Sequence, residues 1–175
     1  MKFKNVIIAS DFDGTLKNDD GIITPDVIEK IQYFIKNGGF FTVCTGRIYQ
    51  GFHLYSPEYI NAPVLLGNGA MAYDYEKGEV IFNDAIGDEG FPAIKDVLKA
   101  FPDISIEFYN FNKVCAINLN SHSEQHFTSQ GINFEIINNP EDAPLPWTKV
   151  MIAAHGCSQE VQEILEKHPE INYLK

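Results

Sequence analysis

Basic residues and cysteines are both scarce in this sequence of 175 residues. Lys and Arg together number 13 against 24 Asp and Glu, so the formal net charge is −11. Binding to nucleic acid or to an anionic membrane needs clustered positive charge, and we therefore expect neither partner. Cys44, Cys115 and Cys157 are widely spaced, which excludes a Cys-x-x-Cys metal clip and a disulfide framework. A reducing, cytoplasmic compartment is the expectation.

Long hydrophobic runs are also missing. No uninterrupted apolar stretch approaches the roughly 20 residues that cross a bilayer, and no basic-then-apolar leader is visible. The content of 45% hydrophobic and 21% charged residues is typical of a folded globular protein. We expect a soluble protein whose length suits one domain or two small lobes.

Apolar runs and a helical pattern alternate over the first part of the chain. The run at residues 6–9 predicts a buried strand, and the run at 40–44 predicts a second. Between them, Thr24, Pro25 and Asp26 indicate the start of a helix. Strand, helix and strand in this order favour a parallel α/β crossover. A third strand at 63–66 and a hairpin over 71–82 then complete a first lobe that ends near residue 83.

The remaining residues, 84–175, have a different pattern. It predicts a helix from 88 to about 101, paired strands within 104–119, a helix near Ser123, a strand at 134–137, a strand at 149–153 and a helix at 158–167. Strands and helices in this arrangement indicate a second, α+β lobe.

Two carboxylates, Asp11 and Asp13, come directly after the first predicted strand. Ligands of open α/β sheets bind at this end of the strands, and Gly14 permits a sharp bend there. A lone Asp-x-Asp is more often a solvated turn, but its position after a buried strand favours a site. One carboxylate can attack phosphorus while the second transfers protons. Two carboxylates beside a phosphate repel it, by roughly 4 kcal/mol for unit charges about 4 Å apart, so we predict that Mg²⁺ binds here.

Polar groups also follow the second and third strands. Thr45, Gly46 and Arg47 could hold phosphate oxygens through a hydroxyl, backbone N–H groups and a positive charge. Asn68 lies between two glycines and could project into the same crevice. Taken singly, Thr45 with Gly46 is more often an ordinary turn, and Asn68 is as easily a turn residue as a substrate contact.

Three segments together resemble the haloacid dehalogenase superfamily of phosphohydrolases, and within it the Cof-like branch. They are Asp-Phe-Asp-Gly-Thr at 11–15, Thr-Gly-Arg at 45–47 and Asn-Gly-Ala at 68–70. The resemblance implies a Rossmann-like parallel-sheet core, begun by residues 1–83, and an inserted α+β cap at 84–175.

The same resemblance implies roles for individual residues. Asp11 would be the nucleophile, Asp13 the acid/base and Thr45 a phosphate ligand. Mg²⁺ would be held by the Asp11 carboxylate and the Asp13 main-chain carbonyl.

Two elements of that family are not visible in this sequence. Members return from the cap with a lysine and a Gly-Asp-x-x-x-Asp segment that completes the metal site. Lys149 is a poor substitute for the lysine because it begins a strand of the predicted cap. We therefore expect an incomplete core, a truncated or split form of a longer enzyme, and a first strand with an open apolar edge that invites self-association.

The leading functional hypothesis is a Mg²⁺-dependent phosphatase that acts on a small phosphorylated metabolite, such as a sugar phosphate or a nucleotide, through an aspartyl-phosphate. The alternatives are a phosphomutase and a fragment that binds a phosphorylated ligand without turnover.

Overall fold

The computed structural model describes residues 1–52 and 58–174. The chain divides into two compact units, Met1–Asp84 and Ala85–Lys175. No helix within the described ranges is both long enough and apolar enough to cross a membrane.

The first unit is a five-stranded sheet with one long helix. Its elements are β1 (Ile7–Asp11), α1 (Pro25–Lys36), β2 (Phe40–Cys44), β3 (Val64–Leu66), β4 (Met71–Asp74) and β5 (Glu79–Asn83). The strand order is β1-β2-β3-β4-β5; β1, β2 and β3 are parallel, β4 is antiparallel to β3, and β5 is antiparallel to β4. The predicted α/β class with a parallel sheet is confirmed.

Helix α1 begins and ends where the sequence indicates. Pro25 occupies the first turn, where its missing N–H costs nothing, and Ile31 and Phe34 are buried. The Thr24 side chain, however, donates to Asp26 Oδ1 at 2.5 Å instead of capping a backbone N–H. At the other end Gly38 takes φ +90°, and its N–H donates to the Ile35 carbonyl at 2.9 Å.

The prediction that β1 is buried is wrong. Ile7 is 62% exposed and Ile8 43% exposed, whereas Val43 on the neighbouring strand is fully buried. β1 lies at the edge of the sheet, as the expected open edge requires, and among the described residues only β2 pairs with it. An apolar run of this kind is buried only where other elements cover both of its faces.

The second unit is a four-stranded mixed sheet with three helices. Its elements are α2 (Phe91–Ala100), β6 (Ser105–Tyr109), β7 (Val114–Ile117), α3 (Ser121–Gln130), β8 (Glu135–Ile136), β9 (Lys149–Ala153) and α4 (Ser158–Leu165). The strand order is β8-β7-β6-β9; β6 is antiparallel to both neighbours, and β8 is parallel to β7.

Strand β6 is buried along its whole length, and its side chains alternate between two kinds of surroundings. Ile106 and Phe108 belong to an apolar core, in which the Phe108 and Trp147 ring centroids lie 4.9 Å apart. Ser105 on the other side hydrogen-bonds to Ser123 of α3, with 2.9 Å between the two hydroxyl oxygens. The unit therefore has an apolar layer on one side of β6 and a partly polar layer on the other.

Candidate active site

The ends of three parallel strands bring the predicted site residues to one edge of the first unit. Asp11, the last residue of β1, is opposite Cys44 in the register, and Cys44 is in turn opposite Leu65 of β3. Thr45 and Asn68 lie in the loops that follow β2 and β3. Because neighbouring parallel strands end on the same side, their carboxylate, hydroxyl and amide groups share this edge.

The loop after β1 is a tight turn that fixes Asp11. The Thr15 hydroxyl donates to Asp11 Oδ2 at 2.9 Å, and the Leu16 N–H donates to the Asp11 carbonyl at 3.2 Å. Gly14 has φ +75°, a conformation that strains other residues. The turn thus holds one oxygen of the Asp11 carboxylate by a local hydrogen bond.

The loops after β2 and β3 are tied together by backbone hydrogen bonds. The Asn68 N–H donates to the Thr45 carbonyl at 3.0 Å, and the Gly67 N–H donates to the Arg47 carbonyl at 2.8 Å. A Cβ atom at Gly46 would stand 2.8 Å from Asn68 Oδ1, so a larger residue there would displace the Asn68 side chain. Asn68 itself adopts φ +60°.

Thr45 is nearly buried at the base of these loops. Its hydroxyl oxygen accepts the Arg47 N–H at 3.1 Å, and its own N–H donates to the Leu65 carbonyl at 2.9 Å. The hydroxyl keeps its proton for donation to an anion.

Arg47 and Asp13 form a two-point ion pair across the site. Arg47 Nε donates to Asp13 Oδ2 at 2.7 Å, and Arg47 Nη2 donates to Asp13 Oδ1 at 2.8 Å. Sequence reasoning assigned Arg47 to phosphate and missed this pair, although opposite charges in the loops after adjacent strands were a signal for it. The structure therefore brings Arg47 to the acid pair through Asp13.

This pairing shifts the titration of Asp13. Hydrogen bonding to Arg47, together with the charges of Arg47 and Lys17, holds the Asp13 pKa below its ordinary value of 3.8, against an opposing effect of burial. The side chain is consequently a carboxylate at neutral pH and can accept a proton.

Phe12, which separates the two acids along the chain, was given no role by the sequence analysis. It is fully buried, and Lys17 Nζ lies 5.2 Å and Arg47 Cζ 5.4 Å from its ring centroid. Cations over an aromatic face are attracted to it, so the ring helps to hold both positive groups beside the acids.

Cys44 is next to Thr45 but is poorly suited to nucleophilic chemistry. Burial, with a further contribution from the charge of Asp11, raises the pKa of its thiol. The group is therefore protonated at neutral pH, and the thiol is the unreactive form.

The oxygen donors here fit a hard cation that keeps several waters. In residues 1–52 and 58–174 no group of three or more His, Cys, Asp or Glu side chains could hold a metal ion. Both Asp13 carboxylate oxygens accept from Arg47, which leaves the Asp11 carboxylate and main-chain oxygens as donors. One carboxylate supplemented by main-chain oxygen, water and phosphate is a common Mg²⁺ environment.

Sequence comparison finds phosphatases among the relatives of this chain. A Bacillus subtilis protein named 5-amino-6-(5-phospho-D-ribitylamino)uracil phosphatase is 32% identical over 117 residues, which are 66% of this chain and 41% of that protein. A Mycoplasma genitalium protein is 30% identical over 145 residues, or 79% of this chain and 50% of that protein. The chain spans about half the length of the curated relatives it matches.

Solved structures share the fold at lower identity. The HAD subclass IIB sugar phosphatase BT4131 superposes with a TM-score of 0.79 at 19% identity, covering 94% of this chain and 64% of that one. A haloacid dehalogenase-like hydrolase from Bacteroides thetaiotaomicron also gives 0.79, at 21% identity, with 99% and 68% covered.

The family comparison agrees with the strand-end motifs. The sequence model of the haloacid dehalogenase-like hydrolases matches residues 8–174, nearly the whole chain. The chain belongs to the haloacid dehalogenase-like hydrolase family.

Proposed function

We propose that the protein is a Mg²⁺-dependent phosphohydrolase acting on a small phosphorylated metabolite. The observation that carries this proposal is the position of Asp11 and Asp13 beside the loop of Thr45, at the ends of two neighbouring parallel strands. Two of the similar proteins are named as phosphatases, one of a phosphorylated ribitylamino-uracil and one of sugars. These names support a substrate that carries a phosphate on a small polyhydroxylated molecule.

Asp11 is the nucleophile of the proposed reaction. An Asp11 carboxylate oxygen bonds to phosphorus while the bond between phosphorus and the ester oxygen breaks. The Thr15 hydroxyl, which donates to Asp11 Oδ2, orients the carboxylate so that its other oxygen can attack. The product of this half-reaction is an aspartyl-phosphate and a free alcohol.

Asp13 is the general acid and base of the proposed reaction. In its acid form it would donate a proton to the departing ester oxygen, and as a carboxylate it would take a proton from the water that hydrolyses the aspartyl-phosphate. That second step releases inorganic phosphate and restores Asp11. The pair with Arg47 favours the carboxylate, so Asp13 must leave the arginine and take up a proton from solvent before it can donate one.

The loops after β2 and β3 bind the phosphoryl oxygens. The Thr45 hydroxyl would donate to them, with Asn68 beside Gly46 as a further contact. Asp11, through its carboxylate, and Asp13, through its main-chain carbonyl, would hold Mg²⁺, which supplies positive charge that offsets the repulsion between carboxylate and phosphate.

Core and cap roles complete the proposal. We assign residues 1–83 to the N-terminal part of a Rossmann-like core and residues 84–175 to a cap domain, in a cytoplasmic protein. Support comes from the parallel sheet of the first unit and the mixed α+β sheet of the second.

The test is hydrolysis of p-nitrophenyl phosphate by the 175-residue chain, with and without Mg²⁺. Asp11→Asn should reduce turnover to the uncatalysed background, because an amide is a poor nucleophile and a poor metal ligand. Asp20→Asn, the same change in the polar turn at residues 18–21, is the matched control and should keep the wild-type rate. Near-normal turnover by Asp11→Asn would refute the assigned role.

A second candidate is a domain that binds a phosphorylated ligand without turnover. The lack of a three-ligand acidic group among residues 1–52 and 58–174 favours it. Binding of inorganic phosphate without Mg²⁺-dependent hydrolysis would select this candidate.

A further inference from the structure

Arg47 is the fixed half of its ion pair with Asp13. Its Nη1 donates to the Gly51 carbonyl at 2.9 Å, its guanidinium stacks on buried Phe12, and its carbonyl accepts the Gly67 N–H. The Arg47 side chain is only 15% exposed. The Gly51 and Phe12 contacts hold the guanidinium and the Gly67 hydrogen bond holds the main chain, so Asp13 is not the only group that positions this arginine.

Asp13 is the movable half. Its side chain is 50% exposed, against 15% for Arg47. Both of its carboxylate oxygens bond to one guanidinium. Water can solvate the half-exposed carboxylate when it moves away from Arg47, so breaking this pair costs less than breaking a buried one.

A guanidinium fork binds a phosphoryl group with the same geometry that it uses for a carboxylate. Both anions present two oxygens to two parallel N–H groups. Arg47 is tied to Thr45 and to the loop after β3 by hydrogen bonds, so it stands among the groups that the proposed function assigns to phosphate. Asp13 thus occupies the arginine that an incoming phosphoryl group would also bind.

We propose that the Asp13 carboxylate and the phosphoryl group of the ligand compete for Arg47, so that ligand binding releases Asp13 from the arginine for its work in proton transfer. The proposal rests on the proposed function, since it assumes a phosphate site at these strand ends. Arg47 is accordingly a positioning residue, which keeps Asp13 in place until a phosphoryl group takes over its two hydrogen bonds.

The experiment is an NMR titration of the full chain with inorganic phosphate in EDTA, which removes divalent ions and leaves the side chains alone to act. It follows the Arg47 Nε–H signal and the Asp13 carboxyl carbon. In the wild type both signals should move with one apparent Kd, because phosphate arrives at Arg47 as Asp13 departs.

Variants separate competition from simple charge repulsion. Asp13→Ala should tighten phosphate binding about fivefold, the upper range for an exposed pair. In an Arg47→Ala background the same change should tighten binding by a clearly smaller factor. Asp11→Asn, which removes the same charge from the same turn, should give equal factors in both backgrounds. Asp13→Asn replaces Asp13→Ala if the alanine variant does not fold.

Three results would overturn the proposal. They are unchanged or weaker binding in Asp13→Ala, an equal effect of that change with and without Arg47, and no phosphate binding by any variant. The hydrolysis assay with and without Mg²⁺ tests the proposed function separately. Competition for Arg47 can occur even in a chain that binds phosphate without turnover.

Discussion

Strands β1 and β6 are both five residues long and each combines three hydrophobic residues with one Ser and one acid, yet β1 is largely exposed and β6 is buried. β1 leaves both of its isoleucines open to solvent, whereas β6 buries even Ser105 and Glu107. β6 lies between two strands with side-chain layers on both faces, while β1 is an edge strand. Burial therefore follows from the neighbours of a strand rather than from its own hydrophobicity.

Asp13 in the first unit and Glu107 in the second also differ in how far their surroundings bury them. Asp13 is half exposed and has a two-point partner in Arg47. Glu107 is fully buried: its Oε2 accepts from the Tyr109 hydroxyl and lies 3.1 Å from His126 Nδ1, while its Oε1 has no hydrogen-bond partner among the described residues. An exposed charge can lose its partner cheaply and a buried one cannot, so mobility is expected at Asp13 and rigidity at Glu107.

The largest expected effect is a loss of unfolding free energy when the buried side of β6 is truncated. Phe108→Ala should lower the free energy of unfolding of the second unit by about 3–5 kcal/mol, because it removes a buried ring that packs on Trp147. Trp147 is the only tryptophan, so its fluorescence in urea reports on that unit. Ile7→Ala is the control and should leave this transition unmoved; a similar shift in both variants would contradict the contrast.

A smaller loss is expected at the buried acid. Glu107→Ala removes the acceptor shared by Tyr109 and His126 and should cost about 1–3 kcal/mol in the same unfolding measurement. Glu107→Gln keeps the size and one acceptor and should cost less. If Glu107→Ala were as mild as Asp13→Ala, for which we expect about 1 kcal/mol or less, the buried layer would not be the rigid one.

The pH dependence of stability gives a further test of burial in the second unit, through Lys149. Burial lowers its pKa from the ordinary 10.5, and the charge of Glu107 only partly opposes this. The folded state therefore loses this proton before the unfolded state does, and stability rises with pH between the two pKa values. Lys149→Met should remove that rise from urea midpoints measured at alkaline pH up to about 10.5, whereas the contribution of Tyr109, whose pKa burial raises, is common to both proteins. Equal slopes would contradict the assignment.

The smallest effect on stability is expected at the exposed edge. Ile7→Lys should change the free energy of unfolding by less than about 0.5 kcal/mol, since the side chain is already largely in solvent. It should nevertheless reduce any concentration-dependent association in sedimentation velocity, because a charge on an open edge opposes strand pairing. Unaltered association would show that β1 is not the surface involved.

Local patterns predicted much of the secondary structure. The apolar run at 40–44 is β2, and the hairpin predicted over 71–82 is formed by β4 and β5, because both signals act over a few neighbouring residues. Helix α3 was located only near Ser123, since among its residues only Ser123 and Phe127 are buried and its apolar pattern is faint. The position of Asp11, Thr45 and Asn68 directly after successive predicted strands also predicted that they share one edge of the sheet, because neighbouring parallel strands end on the same side.

The sequence by itself determined the kinds of elements, the parallel order of the first strands and the residue types at their ends, since these depend on short-range periodicity and turn chemistry. Only the tertiary structure decided that Arg47 forms an ion pair with Asp13, 34 positions away in the sequence, and that Glu107 is buried while Ile7 is exposed. Side-chain pairing and burial depend on which surfaces meet after the chain has folded, and no local pattern contains that information.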